Sequence, residues 1–150
     1  MKLDQIDKAI LNRIQSDFPI HPHPFQVIAE ELELTEAEVL QRTATLKKSG
    51  IIRRIGGNVV PHKVGYVSTL CAARVPDDKI DAFAAVVNRF NGVTHNYRRD
   101  NAFSVWFTFI ARSMDEIEAH LEQIRRETGI SDILNLPATK VFKIKAQFDL

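Results

Sequence analysis

Within Val93-Thr94-His95-Asn96-Tyr97-Arg98-Arg99 lie an imidazole, a phenol and two guanidinium groups. Read as a strand, its side chains alternate between faces. Val93, His95, Tyr97 and Arg99 then share one face, and Thr94, Asn96 and Arg98 the other. A helix-covered strand normally puts apolar residues on its buried face, yet here both faces carry titratable or cationic groups. Two readings stand: an exposed edge strand with a solvated face, or a pocket wall that offers proton-transfer and anion-binding groups together.

A second basic pair, Arg53-Arg54, has three readings: a solvated surface pair, contacts to nucleic-acid phosphates, or a clamp on ligand carboxylates, which the planar guanidinium can grip with two bonds. Spacing alone does not choose among them. His21 and His23 are spaced like metal ligands, but Pro22 separates them and no cysteine or second histidine cluster completes a four-ligand zinc set. No metal site of the chain's own is expected. His62 and His120 read as surface residues, and Cys71, between Leu70 and Ala72, as a buried structural thiol. No Gly-rich phosphate loop, Ser-His-Asp order or paired-cysteine motif is present.

The elements that must position these groups are legible in the periodicity. Leu3, Ile6, Ile10 and Ile14 predict a first helix that stops before Phe18-Pro19. Alternating prolines hold residues 19–24 extended, and Pro24 suits the first turn of a second helix carrying Phe25, Ile28, Ala29 and Leu32. Thr35 and Glu38 form the pattern of a capping box for a third helix, closed by Lys47, Lys48 and Gly50. Ile51 to Ile55 and Asn58 to Val60 then read as wing strands around Gly56-Gly57.

Beyond residue 60 the pattern is strand, helix, strand, strand, helix, strand. The strands are Tyr66–Val75, Val93–Arg99, Phe103–Ile110, and Ile133–Leu136 with Thr139–Ile144. The helices start at Pro76-Asp77 and at a second box-like run, Ser113 to Glu116. The fold class is α+β: a winged helix-turn-helix over residues 1–60, then a ferredoxin-like βαββαβ domain over residues 61–150.

Charge bears on the first domain's role. Residues 1–60 hold eight Lys/Arg and eight Asp/Glu, and residues 61–150 twelve and eleven, together the 20 and 19 of the chain. A neutral helix-turn-helix lacks the phosphate-neutralising surplus that drives DNA binding. The lone cysteine, the absence of a long apolar run and the charged start Met1-Lys2-Leu3-Asp4 predict a cytoplasmic protein without signal peptide or membrane span.

A winged helix-turn-helix followed by a ferredoxin-like domain resembles the Lrp/AsnC regulators over nearly the whole chain, including Gly50-Ile51-Ile52 at the wing. The details are similar to a different branch, the sirohaem decarboxylase subunits of the alternative haem and haem d1 pathways. Phe18-Pro19, Pro24-Phe25, Ile28-Ala29, residues 50–56, Thr94-His95-Asn96-Tyr97 and Trp106-Phe107-Thr108 carry that resemblance.

The resemblance implies a carboxy-lyase acting on sirohaem, two of whose acetate groups become methyls to give didecarboxysirohaem, with no cofactor beyond the iron tetrapyrrole that is its substrate. Arg53, Arg54, Arg98 and Arg99 would grip carboxylates, and Trp106 would stack on the macrocycle or pack in the core. His95 or Tyr97 would protonate the new methyl carbon, or His95 would ligate the substrate iron. Relatives pair with a homologous second subunit, so a heterodimer is expected, with no DNA and no membrane partner. The rival readings are a DNA-binding regulator of the Lrp/AsnC type and a non-catalytic haem-binding module.

Overall fold

The computed structural model describes residues 2–57, 59–143, 147–148 and 150. The chain divides into two compact units, Met1–Gly57 with Lys143–Leu150, and Asn58–Phe142.

In the first unit, α1 (Gln5–Ser16) is opened by Asp4, whose carboxylate accepts from the Asp7 N–H at 2.7 Å while Asp7 accepts from the Asp4 N–H at 3.3 Å. Pro24 starts α2 (Pro24–Glu31), where its missing N–H costs nothing. Ile10, Ile28, Ala29 and Val39 form the core between these helices and α3 (Glu36–Lys48).

Thr35 caps α3 as expected, but the reciprocal half of the box is absent: Glu38 accepts from Arg42 Nε at 3.0 Å instead. A guanidinium one turn away offers a stronger, charge-assisted bond than a neutral backbone N–H. Gly50, at φ 78°, ends α3, with its N–H on the Lys47 carbonyl and the Ile51 N–H on that of Leu46, both at 3.1 Å.

The expected wing strands are not formed among the described residues. Ile52 packs with Leu11 and Leu46, but residues 51–57 carry no strand, and Asn58 lies outside the described residues. Ile51, Ile55, Val59 and Val60 are exposed, and a two-stranded ribbon without apolar cover is marginal in water.

The C-terminal stretch, assigned by pattern to the second domain, groups with the first unit. There the side-chain amide of Gln15 donates to the Phe148 carbonyl at 2.5 Å and accepts from its N–H at 3.1 Å.

The second unit is a four-stranded antiparallel sheet, ordered β2-β3-β1-β4. Its strands are β1 (Val67–Ala73), β2 (Val93–Arg98), β3 (Val105–Ala111) and β4 (Ile133–Leu136). One face packs on α4 (Ile80–Val87) and α5 (Met114–Thr128). Phe83, Val87, Phe107, Phe109, Ile117 and Leu121 make the heart of that core.

Among the described residues of this unit no helix packs on the other face, which presents Leu70, Leu134 and Leu136, all exposed. Ser113 caps α5, but Glu116 reaches the Arg112 N–H at 2.9 Å rather than that of Ser113, so this box too is half formed. Residues 139–143 form no strand, contrary to expectation, and Ile144 lies outside the described residues. Pro137, which has no N–H to donate, follows directly on β4. Cys71 is fully buried in β1, and burial pushes its thiol up to about 12, which suits a structural role.

Candidate functional site

The site grows from one irregularity in the β2–β3 hairpin. Val93 faces Phe109 and His95 faces Thr108, so two steps along β2 match one along β3 and Thr94 is an extra residue. Such a bulge is tolerated because β2 is an edge strand.

The bulge corrects the strict alternation read from sequence. Val93 packs on the helix-covered core, whereas His95 and Tyr97 lie on the open face opposite Thr108 and Trp106. Asn96 faces Phe107 on the helix side, where its amide donates to Asn88 Oδ1 at 3.0 Å.

On the open face the groups converge. The rings of His95 and Tyr97 stack with centroids 6.0 Å apart. Thr94 Oγ1 lies 3.0 Å from His95 Nδ1 and 2.7 Å from Thr108 Oγ1, and Thr108 Oγ1 lies 3.4 Å from the same ring nitrogen. Among the described residues no protein group bonds His95 Nε2. The Trp106 indole N–H is spent on the Phe103 carbonyl at 2.7 Å, which fixes the ring beside Tyr97, and the Arg99 guanidinium lies 5.5 Å from its centroid.

His95, Tyr97, Arg99 and Trp106 are therefore brought together. Arg98 is not: it sits in register with buried Val105 and pairs with Asp77 at 3.1 Å. Asp77 lies 21 positions away, so no local pattern reveals this partner. Arg53 and Arg54 belong to the first unit, are exposed, and have no carboxylate partner among the described residues.

A cleft of about 680 Å³ opens at the start of β2, lined among others by Tyr66, Gly92, Thr94, Arg112, Glu116 and His120. Arg112 lies over the Tyr66 ring at 4.2 Å and has no carboxylate partner for its guanidinium among the described residues. His120, read from sequence as a surface residue, is half-buried, its ring stacked on Phe109 at 5.5 Å and set against Phe90 at 5.1 Å. Thr94, Thr108, Arg112 and His120 are the site residues that sequence reasoning missed. Thr94 and Thr108 stand in the motifs that carry the family resemblance but were given no role of their own, and Arg112 meets Tyr66 only through the fold.

His21 and His23 are exposed and bond to each other's segment, the His23 N–H donating to His21 Nδ1 at 3.1 Å. Among the described residues no group of three or more His, Cys, Asp or Glu side chains could hold a metal ion. Nor is any helix there long and apolar enough to cross a membrane.

On α3, the element a DNA reader inserts into the groove, Arg42 is held by Asp4 at 2.8 Å, Asp7 at 2.9 Å and Glu38 at 3.0 Å. Ala37, Leu40, Gln41 and Ala44 are exposed on the same helix.

Comparison with known proteins divides along the same two units. Residues 7–53 match the model described as the siroheme decarboxylase NirDL-like HTH domain, and residues 63–143 that of the AsnC-like ligand binding domain. Over 149 residues the chain is 52% identical to the siroheme decarboxylase alpha subunit of Oleidesulfovibrio alaskensis, covering 99% of this chain and 90% of that one. The crystal structure of the siroheme decarboxylase NirDL in co-complex with an iron-uroporphyrin III analogue matches with a TM-score of 0.70 at 30% identity. That match covers 96% of this chain, which spans 48% of the NirDL chain. The leucine response regulatory protein of Mycobacterium tuberculosis matches with a TM-score of 0.82 at 19% identity, over 99% of this chain and all of its own, which shows a common fold.

Proposed function

This chain belongs to the siroheme decarboxylase family, and we propose that it works as one subunit of a carboxy-lyase that converts two acetate side chains of sirohaem into methyl groups. The product is didecarboxysirohaem, and the iron tetrapyrrole is substrate rather than cofactor. The observation that carries the site is the cluster of His95, Tyr97, Arg99 and Trp106 on one open sheet face.

The chemistry asks for three things of this surface. Peripheral carboxylates need cations, and Arg99 and Arg112 are the proposed donors here, with Arg53 and Arg54 proposed separately as carboxylate-binding residues of the first unit. A macrocycle needs a flat aromatic neighbour, for which Trp106 and Tyr97 are proposed. Each decarboxylation breaks the bond between the methylene and the carboxylate carbon. Carbon dioxide leaves, the electron pair spreads into the macrocycle, and one proton closes the balance at the new methyl carbon. His95, bonded through Nδ1, presents Nε2 either as the source of that proton or as a ligand of the substrate iron.

A homologous second subunit is proposed as the partner. The uncovered leucines of the open face favour burial against another chain, and the matched NirDL chain is about twice as long as this one. The regulator reading draws on the helix-turn-helix alone, and fold does not imply function. The pairing of Arg42 with three carboxylates counts against it.

The test is anaerobic incubation with sirohaem, alone and with the homologous second subunit, followed by product masses. Loss of one and then two carbon dioxide units is expected from the pair. Bound but unaltered sirohaem in both incubations would assign a haem-binding module instead. The same mixture with His95→Ala reports on the site: a changed spectrum of the bound tetrapyrrole assigns a ligand, and an unchanged spectrum with slow turnover assigns an acid. Parent behaviour in both removes His95 from the site.

A further inference from the structure

We infer that Thr94 and Thr108 are positioning residues that fix the His95 imidazole so that Nε2, and not Nδ1, faces the tetrapyrrole. The inference rests on the proposed place of His95 in the site. An exposed imidazole on a flat strand rotates about its two side-chain torsions and can offer either nitrogen. Here the bulge adds Thr94 to β2 and brings its hydroxyl to 3.0 Å from His95 Nδ1. Thr108, the cross-strand partner of His95, holds that hydroxyl at 2.7 Å and approaches Nδ1 itself at 3.4 Å. Two strands thus converge on one ring nitrogen.

The choice of hydroxyls has a chemical consequence. A hydroxyl both donates and accepts, so the chain of bonds can run in either direction. With imidazolium, and equally with the neutral ring left when Nε2 gives up its proton or binds iron, Nδ1–H donates to Thr94, which donates to Thr108. With a neutral ring protonated on Nε2, Thr108 donates to Thr94 and Thr94 to Nδ1. The ring keeps its orientation while Nε2 gains or loses a proton, or binds iron. A carbonyl partner would lose its bond in the second state.

The experiment is a mutational cycle in the assembled two-subunit enzyme with sirohaem, reading kcat and KM separately. Thr94→Val keeps the shape and removes the hydroxyl. It is expected to lower kcat by about 10- to 100-fold, the range for loss of an outer-shell partner of a functional histidine, with KM nearly unchanged. Thr94→Ser keeps the hydroxyl and should restore most of the rate, which a merely structural strand residue has no reason to do. Thr108→Val acts through Thr94 and should cost less.

In a His95→Ala background Thr94→Val should add no further loss, because the hydroxyl then has nothing to orient. A parental rate for Thr94→Val overturns the inference. So does a serine variant as slow as the valine one, or a loss that adds to that of His95→Ala. If His95→Ala alone turns over like the parent, the reading of His95 fails first, and that result is distinct from the other three.

Discussion

Gly92 is where the hairpin geometry can be challenged most directly. It stands one residue before β2, and its φ is not in the left-handed region, so its requirement is spatial rather than conformational. A Cβ there would lie 2.2 Å from the Ile110 carbonyl oxygen and 2.9 and 3.0 Å from two carbons of the Phe109 ring. Neither neighbour can give way cheaply. The Ile110 carbonyl is backbone of β3 between two paired strands, and Phe109 is 1% exposed in the core. The Gly92 carbonyl also accepts from the Ile110 N–H at 2.9 Å, which ties the two backbones at that spacing.

Overpacking of this kind costs about 1–3 kcal/mol, and the backbone contact places Gly92→Ala in the upper half, about 2–3 kcal/mol. For a chain of 150 residues that corresponds to a fall in Tm of roughly 4–12 °C. Thermal and urea unfolding of parent and variant would measure it. Turnover should fall as well, because the strand that shifts carries Thr94 and His95. A Gly92→Ala variant that melts within a degree of the parent would refute the close approach, and with it the bulge that sets His95 beside Thr108.

Other consequences are quicker to state. Arg53→Ala and Arg54→Ala should each weaken sirohaem binding by about 1.5–3 kcal/mol per lost charge-assisted bond with little change in Tm, and Lys should rescue poorly; parental binding by titration would return both to the solvated surface. Duplex DNA should show no sequence-specific binding at physiological salt, and a nanomolar gel shift on an upstream site would demand a second role.

Asp4 is held below the usual carboxylate range by the Asp7 N–H and then Arg42, Glu31 by Arg13, and Glu127 by Gln123 and then Arg89. Their folded values lie below the unfolded ones. The stability they contribute is therefore complete above the ordinary carboxylate range and is lost as pH falls through the folded values. The Tm should fall progressively below about pH 4.5; a Tm unchanged down to pH 3 would show that these pairs add nothing.

Helices and the succession of elements along the chain were legible because they depend on local signals: apolar spacing, Pro24 at a helix start, Gly50 and Gly129 just past helix ends. What escaped depends on partners distant in sequence. Alternation put Val93 and His95 on one face, and only the pairing with Phe109 and Thr108 shows the extra residue between them. Both capping boxes were read whole because the spacing was right. The carboxylates of Glu38 and Glu116 instead found Arg42 and the Arg112 N–H. Arg98 looked as available as Arg99 until Asp77 was placed beside it. The wing strands had propensity and a turn, but nothing apolar to lie on.

The partner chosen for His95 fits the charge of the proposed substrate. Catalytic and metal-binding histidines commonly rest one nitrogen on a carboxylate, which stabilises imidazolium and fixes the ring. Sirohaem brings its own ring of acetate and propionate carboxylates. At an effective dielectric of about 20, a further carboxylate about 6 Å from one of them would repel it by about 3 kcal/mol. The Thr94–Thr108 pair holds the ring without that repulsion. Glu116, the acidic lining residue of the adjoining cleft, is engaged by the Arg112 N–H, leaving the Arg112 guanidinium over Tyr66 as a cation for the substrate rim. A polyanionic macrocycle would then meet hydroxyls, rings and cations along β2 and β3, with His95 held by partners that carry no charge.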